Sequence, residues 1–148
     1  MKENKKTYLP LIMWCFALVP VMLGAIPLAV WLNLNDGAMV ALMMAAVIVM
    51  LQALFWIIWK GEYVYWINGG PSFEEAQAAG SEARREYAWK HLLAMMKGGA
   101  AALVLLAAEG FFGAHEIAMV LTTGVCITVA AVSSIRIKWT VNEDGPKN

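Results

Sequence analysis

Charged residues are scarce in this chain of 148 amino acids. They make up 15% of it and hydrophobic residues 61%, whereas soluble domains have roughly 25% charged and about 45–50% apolar residues. A soluble domain of this size has a high ratio of surface to volume and could not hide so much apolar surface. The composition therefore excludes an ordinary water-soluble domain and predicts that residues 1–148 form one domain dissolved in lipid.

The chain also lacks an excess of either charge, and it has only two cysteines. Eleven basic and eleven acidic residues give a net charge of zero, so no basic field favours nucleic acid as a partner. Cys15 and Cys126 fall within apolar runs and form neither a CxxC motif nor a Cys/His spacing. We expect both to be buried apolar thiols.

Motifs for catalysis, nucleotides and metals are missing as well. The sequence contains no GxSxG, P-loop or GxGxxG pattern. His115-Glu116 resembles the start of a zincin motif, but Met119 stands where the second histidine would be. We therefore expect no enzymatic activity, no metal and no cofactor.

Long apolar runs are what the chain has in abundance. Each of four is near the roughly 20 residues that cross ~30 Å of hydrocarbon as a helix. Helix is required because a spanning segment must satisfy its own backbone polar groups, and no alternation typical of barrel strands is visible. The sequence predicts an all-α fold, an integral membrane four-helix bundle built from two transmembrane hairpins. The predicted helices are residues 8–32, 38–59, 92–112 and 117–139.

Basic residues predict the orientation of this bundle. All eleven lie before the first helix, in the connection 60–91, near the start of the third helix or in residues 136–147 at the end of the fourth helix and beyond it; the turns 33–37 and 113–116 have none. By the positive-inside rule, both termini and the long connection are cytoplasmic. Six of the seven tryptophans cluster toward the same side, as in an interfacial aromatic belt. We expect a multi-pass protein of the cell membrane, specifically the bacterial cytoplasmic membrane.

The connection 60–91 contains turn and helix-start signals. Residues 69–72, Gly-Gly-Pro-Ser, form a turn, and Ser72 with Glu75 predicts a capping box that opens a short helix. Gly80 interrupts this helix, and Ser81 can cap a second one that runs into the third apolar run. We expect a short interfacial helix on the cytoplasmic side or, alternatively, a docking site for a partner protein or anionic headgroups.

Two charge pairs support the second of these helices, and the loop suggests one resemblance. Glu82–Arg85 and Glu86–Lys90 have the favourable spacings of three and four residues. The Gly-Gly-Pro-Ser loop with acidic residues between apolar helices is loosely similar to small bacterial membrane proteins, some of them near immunity proteins of the SdpI type. This resemblance implies no site residues.

Small residues form a narrow strip on each of the last two helices. On the third helix the strip carries Glu109, and on the fourth its members recur every four residues. Such strips let two backbones approach closely, so we predict that they face each other or a symmetry mate in a homo-oligomer. The residues are Gly98, Ala102, Thr122, Cys126, Ala130 and Ser134.

Glu109 and Lys97 are the candidate intramembrane polar site. A charge in hydrocarbon costs several kcal/mol, so Glu109 either holds a proton or cation inside the bundle, or reaches the outer interface, a nearby hydroxyl or His115. Lys97 can extend its ammonium group to the cytoplasmic headgroups. Twelve residues, about 18 Å of helix, keep the two from pairing.

The sequence leaves two main hypotheses for function. The first is an accessory or regulatory membrane protein, such as an immunity factor or a subunit of a larger complex, that acts through protein or lipid contacts. The alternative is a small oligomeric transporter or channel in which Glu109 is a proton or cation site. A membrane enzyme is disfavoured because no acid, base and electrophile assemble on one side.

Overall fold

The structure is a computed structural model that describes residues 6–140. Within that range the chain is all-helical, and four helices are long and apolar enough to cross a membrane, as predicted. A single 3-10 turn and one short helix connect the two hairpins. The elements are α1 Leu9–Trp31, α2 Asp36–Gly61, the 3-10 turn Val64–Trp66, α3 Phe73–Ala78, α4 Gly80–Phe111 and α5 Glu116–Ile135.

The long helices do not contribute equally to the packed interior. α2, α4 and α5 all contact one another, whereas α1 contacts α2 alone among the described helices. The buried residues of α1 are Ala25 and Ala29, which lie four residues apart and therefore on one face. The interior is thus a three-helix core, and α1 is attached to one side of it through a narrow strip.

Contacts between the helices show that chain neighbours run antiparallel. The indole of Trp14 donates to the carbonyl of Met50 across α1 and α2 at 2.9 Å. Near the start of α2, Gly37 lies close to Glu116 and Met119 at the start of α5. The two short turns therefore meet at one end of the molecule, called here the turn end. The described basic residues lie at or near the other, called here the basic end: Lys6, Lys60, Arg84, Arg85, Lys90, Lys97, Arg136 and Lys138.

Both short turns are capped by their own side chains. Asn35 accepts a hydrogen bond from the backbone N–H of Ala38, and His115 accepts one from Ile117. These bonds satisfy N–H groups that the first turn of a helix leaves free. His115, which resembles part of a zincin motif in the sequence, therefore acts as the N-cap of α5.

α4 is much longer than the apolar run it contains. Its 32 residues correspond to about 48 Å, against ~30 Å of hydrocarbon. The helix begins at Gly80, whose φ of +82° allows the chain to reverse after α3. Ser81 is not its N-cap, since that position is Ala79, which has no capping side chain. The capping box of Ser72 and Glu75 is present at α3.

Two other expectations are wrong in detail. α5 ends at Ile135 and not at 139, and the Trp139 ring beyond it packs edge-on against Tyr87 at 5.1 Å. The cysteines are not buried: Cys15 is exposed and Cys126 half-buried. Cys15 is exposed because α1 has only one neighbour, so most of its surface faces outward, where lipid tails would be as apolar as the side chains themselves.

Candidate functional site: the α4–α5 seam and the Glu62 network

Small residues bring α4 and α5 into close contact along a line called here the α4–α5 seam. A Cβ atom at Gly98 would come closer to the Cβ of Ala130 than real Cβ atoms do, and would lie 3.4 Å from the carbonyl oxygen of Cys126. Ala102 is fully buried. The two strips of small residues thus face each other within one chain, so their close packing needs no symmetry mate.

Glu109 lies in this seam near the turn end. The hydroxyl of Thr122 donates to its Oε1 at 2.6 Å, while its Oε2 is buried and has no hydrogen-bond partner among the described residues. The Nδ1 of His115 accepts a hydrogen bond from the N–H of Ile117 at the start of α5 and lies 3.4 Å from Glu116, so His115 is not the partner of Glu109. Of the partners considered from the sequence, Glu109 therefore has the neighbouring hydroxyl, and its second carboxylate oxygen has no hydrogen-bond partner in residues 6–140.

Lys97 is exposed on α4 and lies apart from Glu109. Twelve residues of continuous helix place the two about 18 Å from each other along the axis. The structure therefore does not assemble them into one site. Lys97 instead lines a groove on the outer face of the seam, together with Lys90.

His91 is a polar residue of the seam that the sequence analysis did not select. Its ring is 1% exposed, its Nδ1 shares a 2.5 Å hydrogen bond with the hydroxyl of Ser134, and its Nε2 is buried without a partner. Tyr87 packs edge-on against it at 4.5 Å. The sequence does indicate that His91 belongs to the seam, because it lies seven residues before Gly98 and hence on the same helix face.

Gln52 is a second polar residue that the sequence analysis missed. It is the one polar side chain in the apolar run 38–59, and its amide lies where a Cβ at Gly99 would be. Gln52, Gly99 and neighbours on α2, α4 and α5 line a partly open void of about 10 Å³, which is about the space of one water molecule. Gln52 therefore fills the gap left by a glycine at the centre of the three-helix core.

His91 and Glu109, the buried polar positions of the seam on α4, lie far apart. His91 and Glu109 are eighteen residues, about 27 Å, apart on α4, and the residues buried between them are apolar or glycine: Leu92, Met95, Gly99, Ala102 and Leu106. No three His, Cys, Asp or Glu side chains in residues 6–140 are grouped as a metal site requires. Apolar residues and a glycine thus separate His91 from Glu109 along α4.

The strongest charge cluster lies outside the apolar spans and is called here the Glu62 network. Arg84 donates to Oε2 of Glu62 through Nε at 2.9 Å, and its Nη2 lies 2.8 Å from the same oxygen. Arg85 and the hydroxyl of Ser81 donate to Oε1 at 2.8 and 2.6 Å. A third nitrogen of Arg84 donates to the carbonyl of Ala76 in α3 at 2.8 Å. The network therefore ties the end of α2 and α3 to the start of α4.

Burial and charge act in opposite directions on Glu62. The Glu62 and Arg84 side chains are only 12% and 9% exposed. Burial alone would raise the pKa of Glu62, but hydrogen bonds from Ser81, Arg84 and Arg85, with the charge of Arg84, lower the pKa below its ordinary value.

Glu62 also has a φ of +57°, which is unusual for a residue with a side chain. The network holds Glu62 in this conformation. Arg85 pairs with Glu62, whereas the sequence predicted that it would pair with Glu82. The pair Glu86–Lys90 is present at 2.7 Å.

Aromatic residues fix the chain before α1 to the 3-10 turn in what is called here the aromatic clasp. The Tyr65 hydroxyl accepts from the N–H of Thr7 at 3.0 Å and donates to its carbonyl at 2.9 Å. The indole of Trp66 donates to the same carbonyl at 3.2 Å and stacks on Tyr63 at 4.3 Å. These contacts hold the segment before α1 against the 3-10 turn.

The seam, the Glu62 network and the aromatic clasp are the features from which a function must be argued. No protein-family model matches the chain, and no curated protein or solved structure is significantly similar to it.

Proposed function

We propose that this chain is an accessory or regulatory membrane protein that acts through contacts made by its cytoplasmic segment with another membrane protein. The observation that carries the proposal is the Glu62 network. Burying charges costs several kcal/mol per ion before pairing repays it, and a loop that only joined two spans would have no need of such a network. Its effect is to hold α3 and the first turns of α4 in one arrangement.

The surface held by this network is called here the platform and comprises residues 62–90. Its outer side presents charges of both signs, including Glu82 and Arg85, beside the exposed indole of Trp89. Trp89 also contacts the Trp59 ring at 5.6 Å, which restrains its motion. Restrained aromatic and arginine side chains are enriched among residues that dominate protein interfaces, which supports a protein partner.

The proposed orientation places the platform and both termini in the cytoplasm of a bacterial cell. The support is the collection of all described basic residues at or near one end of the molecule together with the positive-inside rule. Lys2, Lys5 and Lys147 also count toward the rule in the sequence, but they lie outside the described residues. The immunity factor and the complex subunit are both forms of this one proposal.

Photocrosslinking in the cells that produce the protein tests it. A photoreactive amino acid is placed at Trp89 or Glu86 on the platform, and at Val104 as a matched exposed position in the apolar part of α4. We expect one membrane protein to be captured from the platform positions and not from position 104, and the charge reversal Glu82→Lys to weaken its capture. Equal capture from all three positions, or none from the platform, would contradict the proposal.

Transport by an oligomer is the second candidate, and one observation favours it. Oε2 of Glu109 is buried without a hydrogen-bond partner in the described chain. Such an oxygen is available to bind a proton or a cation. Because apolar residues and a glycine separate His91 from Glu109 along α4, the pathway would lie between copies. Purified protein in liposomes should then conduct protons or cations, and Glu109→Gln should abolish this flux. Unchanged flux in the variant would remove this candidate.

A further inference from the structure

A groove on the outer face of the seam is not used by the function proposed above. It has a volume of about 590 Å³ and is open along one side, a size typical of small-molecule sites. It lies in the half of α4 and α5 nearer the basic end. Its lining is mostly apolar and small: Leu93, Ala94, Gly98, Val129, Ala130 and Ile137, with Lys90, Lys97 and Ser133.

The groove exists because the seam residues have little or no side chain. Ala94 and Gly98, four residues apart on α4, line it together with Ala130 of α5, and the larger Leu93 and Val129 line it as well. The same glycine that brings the helices together thus leaves a channel above their contact. A flexible hydrocarbon chain fits such an open apolar channel, whereas a polar ligand would find few partners along it.

Two lysines stand along the α4 side of this channel. Lys90 and Lys97 are seven residues, about 10.5 Å, apart on the same face of α4. Lys90 is paired with Glu86 at 2.7 Å, but no residue in the range 6–140 forms an ion pair with Lys97. The Ser133 hydroxyl also lines the groove. One unpaired cation beside an apolar channel is complementary to an anion that carries an acyl chain.

We propose that this groove binds an anionic phospholipid of the cytoplasmic leaflet. Lys97 binds the headgroup phosphate, Ser133 donates a hydrogen bond to it, and one acyl chain lies over Ala94, Gly98 and Ala130. Lys97 lies about five residues, near 7.5 Å, inside the apolar run that begins at 92, so its ammonium reaches a phosphate by extending toward the basic end. The inference uses the orientation proposed above but not the existence of a protein partner.

Lipid selectivity of the purified full-length protein tests the proposal. Retention of phosphatidylglycerol and of phosphatidylcholine with identical acyl chains is compared by native mass spectrometry from mixed micelles. We expect the wild type to prefer the anionic lipid, and Lys97→Gln to weaken that preference about fivefold, since one lysine near an anionic leaflet is worth about 1 kcal/mol. Lys97→Arg, which keeps the charge, should retain the preference.

Two matched variants separate the groove from a general attraction to basic protein. Lys60→Gln removes the same charge from an exposed lysine that lies over the Trp56 ring on α2, and it should leave the preference unchanged. Ala94→Leu fills the groove without changing charge and should reduce retention as much as Lys97→Gln does. Equal effects of Lys60→Gln and Lys97→Gln would overturn the proposal. So would equal retention of both lipids by the wild type, or full competition by inorganic phosphate.

Discussion

Arg84 and Glu62 are twenty-two residues apart in the chain, yet two nitrogens of the guanidinium contact one carboxylate oxygen at 2.9 and 2.8 Å. Both side chains are largely buried although they lie outside the apolar spans. The contact joins the last turn of α2 to α4 and, through the carbonyl of Ala76, to α3. This pair therefore determines how the connection is arranged on the bundle.

Loss of the Glu62 carboxylate should loosen the platform without unfolding the spans. Removing one partner of a buried ion pair costs about 3 kcal/mol, and in Glu62→Gln this should appear as roughly 100-fold faster amide exchange in residues 62–80. The control Glu86→Gln breaks the exposed pair with Lys90 and should change exchange very little. Equal protection in both variants would contradict the structural role of the network.

The same network predicts how the platform responds to pH. The pKa of Glu62 is lowered from its ordinary value of 4.5 in the folded protein, so its ionised form stabilises the fold at every pH above that value. The stabilisation should be lost only as the pH falls below 4.5 and through the lowered folded pKa. Exchange in residues 62–80 should therefore be protected from pH 7 to about pH 5 after correction for intrinsic rates, and protection should fall below that range.

Gly98 should tolerate an added methyl group far less well than Gly124 does. Because a Cβ there would collide with Ala130, Gly98→Ala should force the α4–α5 seam apart and cost about 1–3 kcal/mol, seen as a lower Tm in detergent. Ala130→Gly combined with it should recover part of the loss. Gly124, with nothing within 4 Å, is the control, and Gly124→Ala should be neutral or stabilising.

A double-mutant cycle should detect the hydrogen bond between Thr122 and Glu109. Thr122→Val removes the donor to Oε1 and leaves both carboxylate oxygens without a partner, at a cost of about 1–3 kcal/mol. Adding Glu109→Leu removes the group that needs the donor, so the double variant should be more stable than Thr122→Val alone. Strictly additive effects in unfolding measurements would show that the two side chains do not interact.

The aromatic clasp should control only the start of α1. Tyr65→Phe removes the hydroxyl that bonds both the N–H and the carbonyl of Thr7. We expect faster exchange at residues 12–15, the first amides of α1 that are bonded within the helix, and unchanged exchange in α4 and α5, because α1 contacts only α2 among the helices. Tyr63→Phe keeps the stacked ring and should have no effect, whereas similar effects of both variants would argue against the clasp.

The sequence predicted the helices well because lipid imposes simple length and composition requirements. Runs of about 20 apolar residues identified four helices that are long and apolar enough to cross a membrane, and the spacing of Gly98, Ala102 and Ala130 identified the helix faces that meet. These predictions depend on local periodicity alone. The end of α5 and the burial of Cys15 were wrong because they depend on which helices are neighbours, and periodicity within one helix does not contain that information.

The polar positions were predicted less completely for the same reason. Glu109 was found from the sequence, but the bond to Thr122 depends on the register between α4 and α5. Glu62 gave no local signal, because its partners Arg84 and Arg85 lie more than twenty residues away. Gln52 and His91 did have local signals. Gln52 is a lone amide in an apolar run, and His91 lies seven residues before Gly98.

Accessibility of single cysteines from outside intact cells is the most direct test of four spans with the platform inside. In a variant with Cys15 and Cys126 replaced by alanine, a cysteine is introduced at Glu86 on the platform or at His115 in the turn between α4 and α5, both exposed. A thiol reagent that cannot cross the membrane should label position 115 in intact cells, and position 86 only after the membrane is permeabilised. Labelling of position 86 in intact cells, with position 115 protected, would contradict the proposed orientation and the location of the platform.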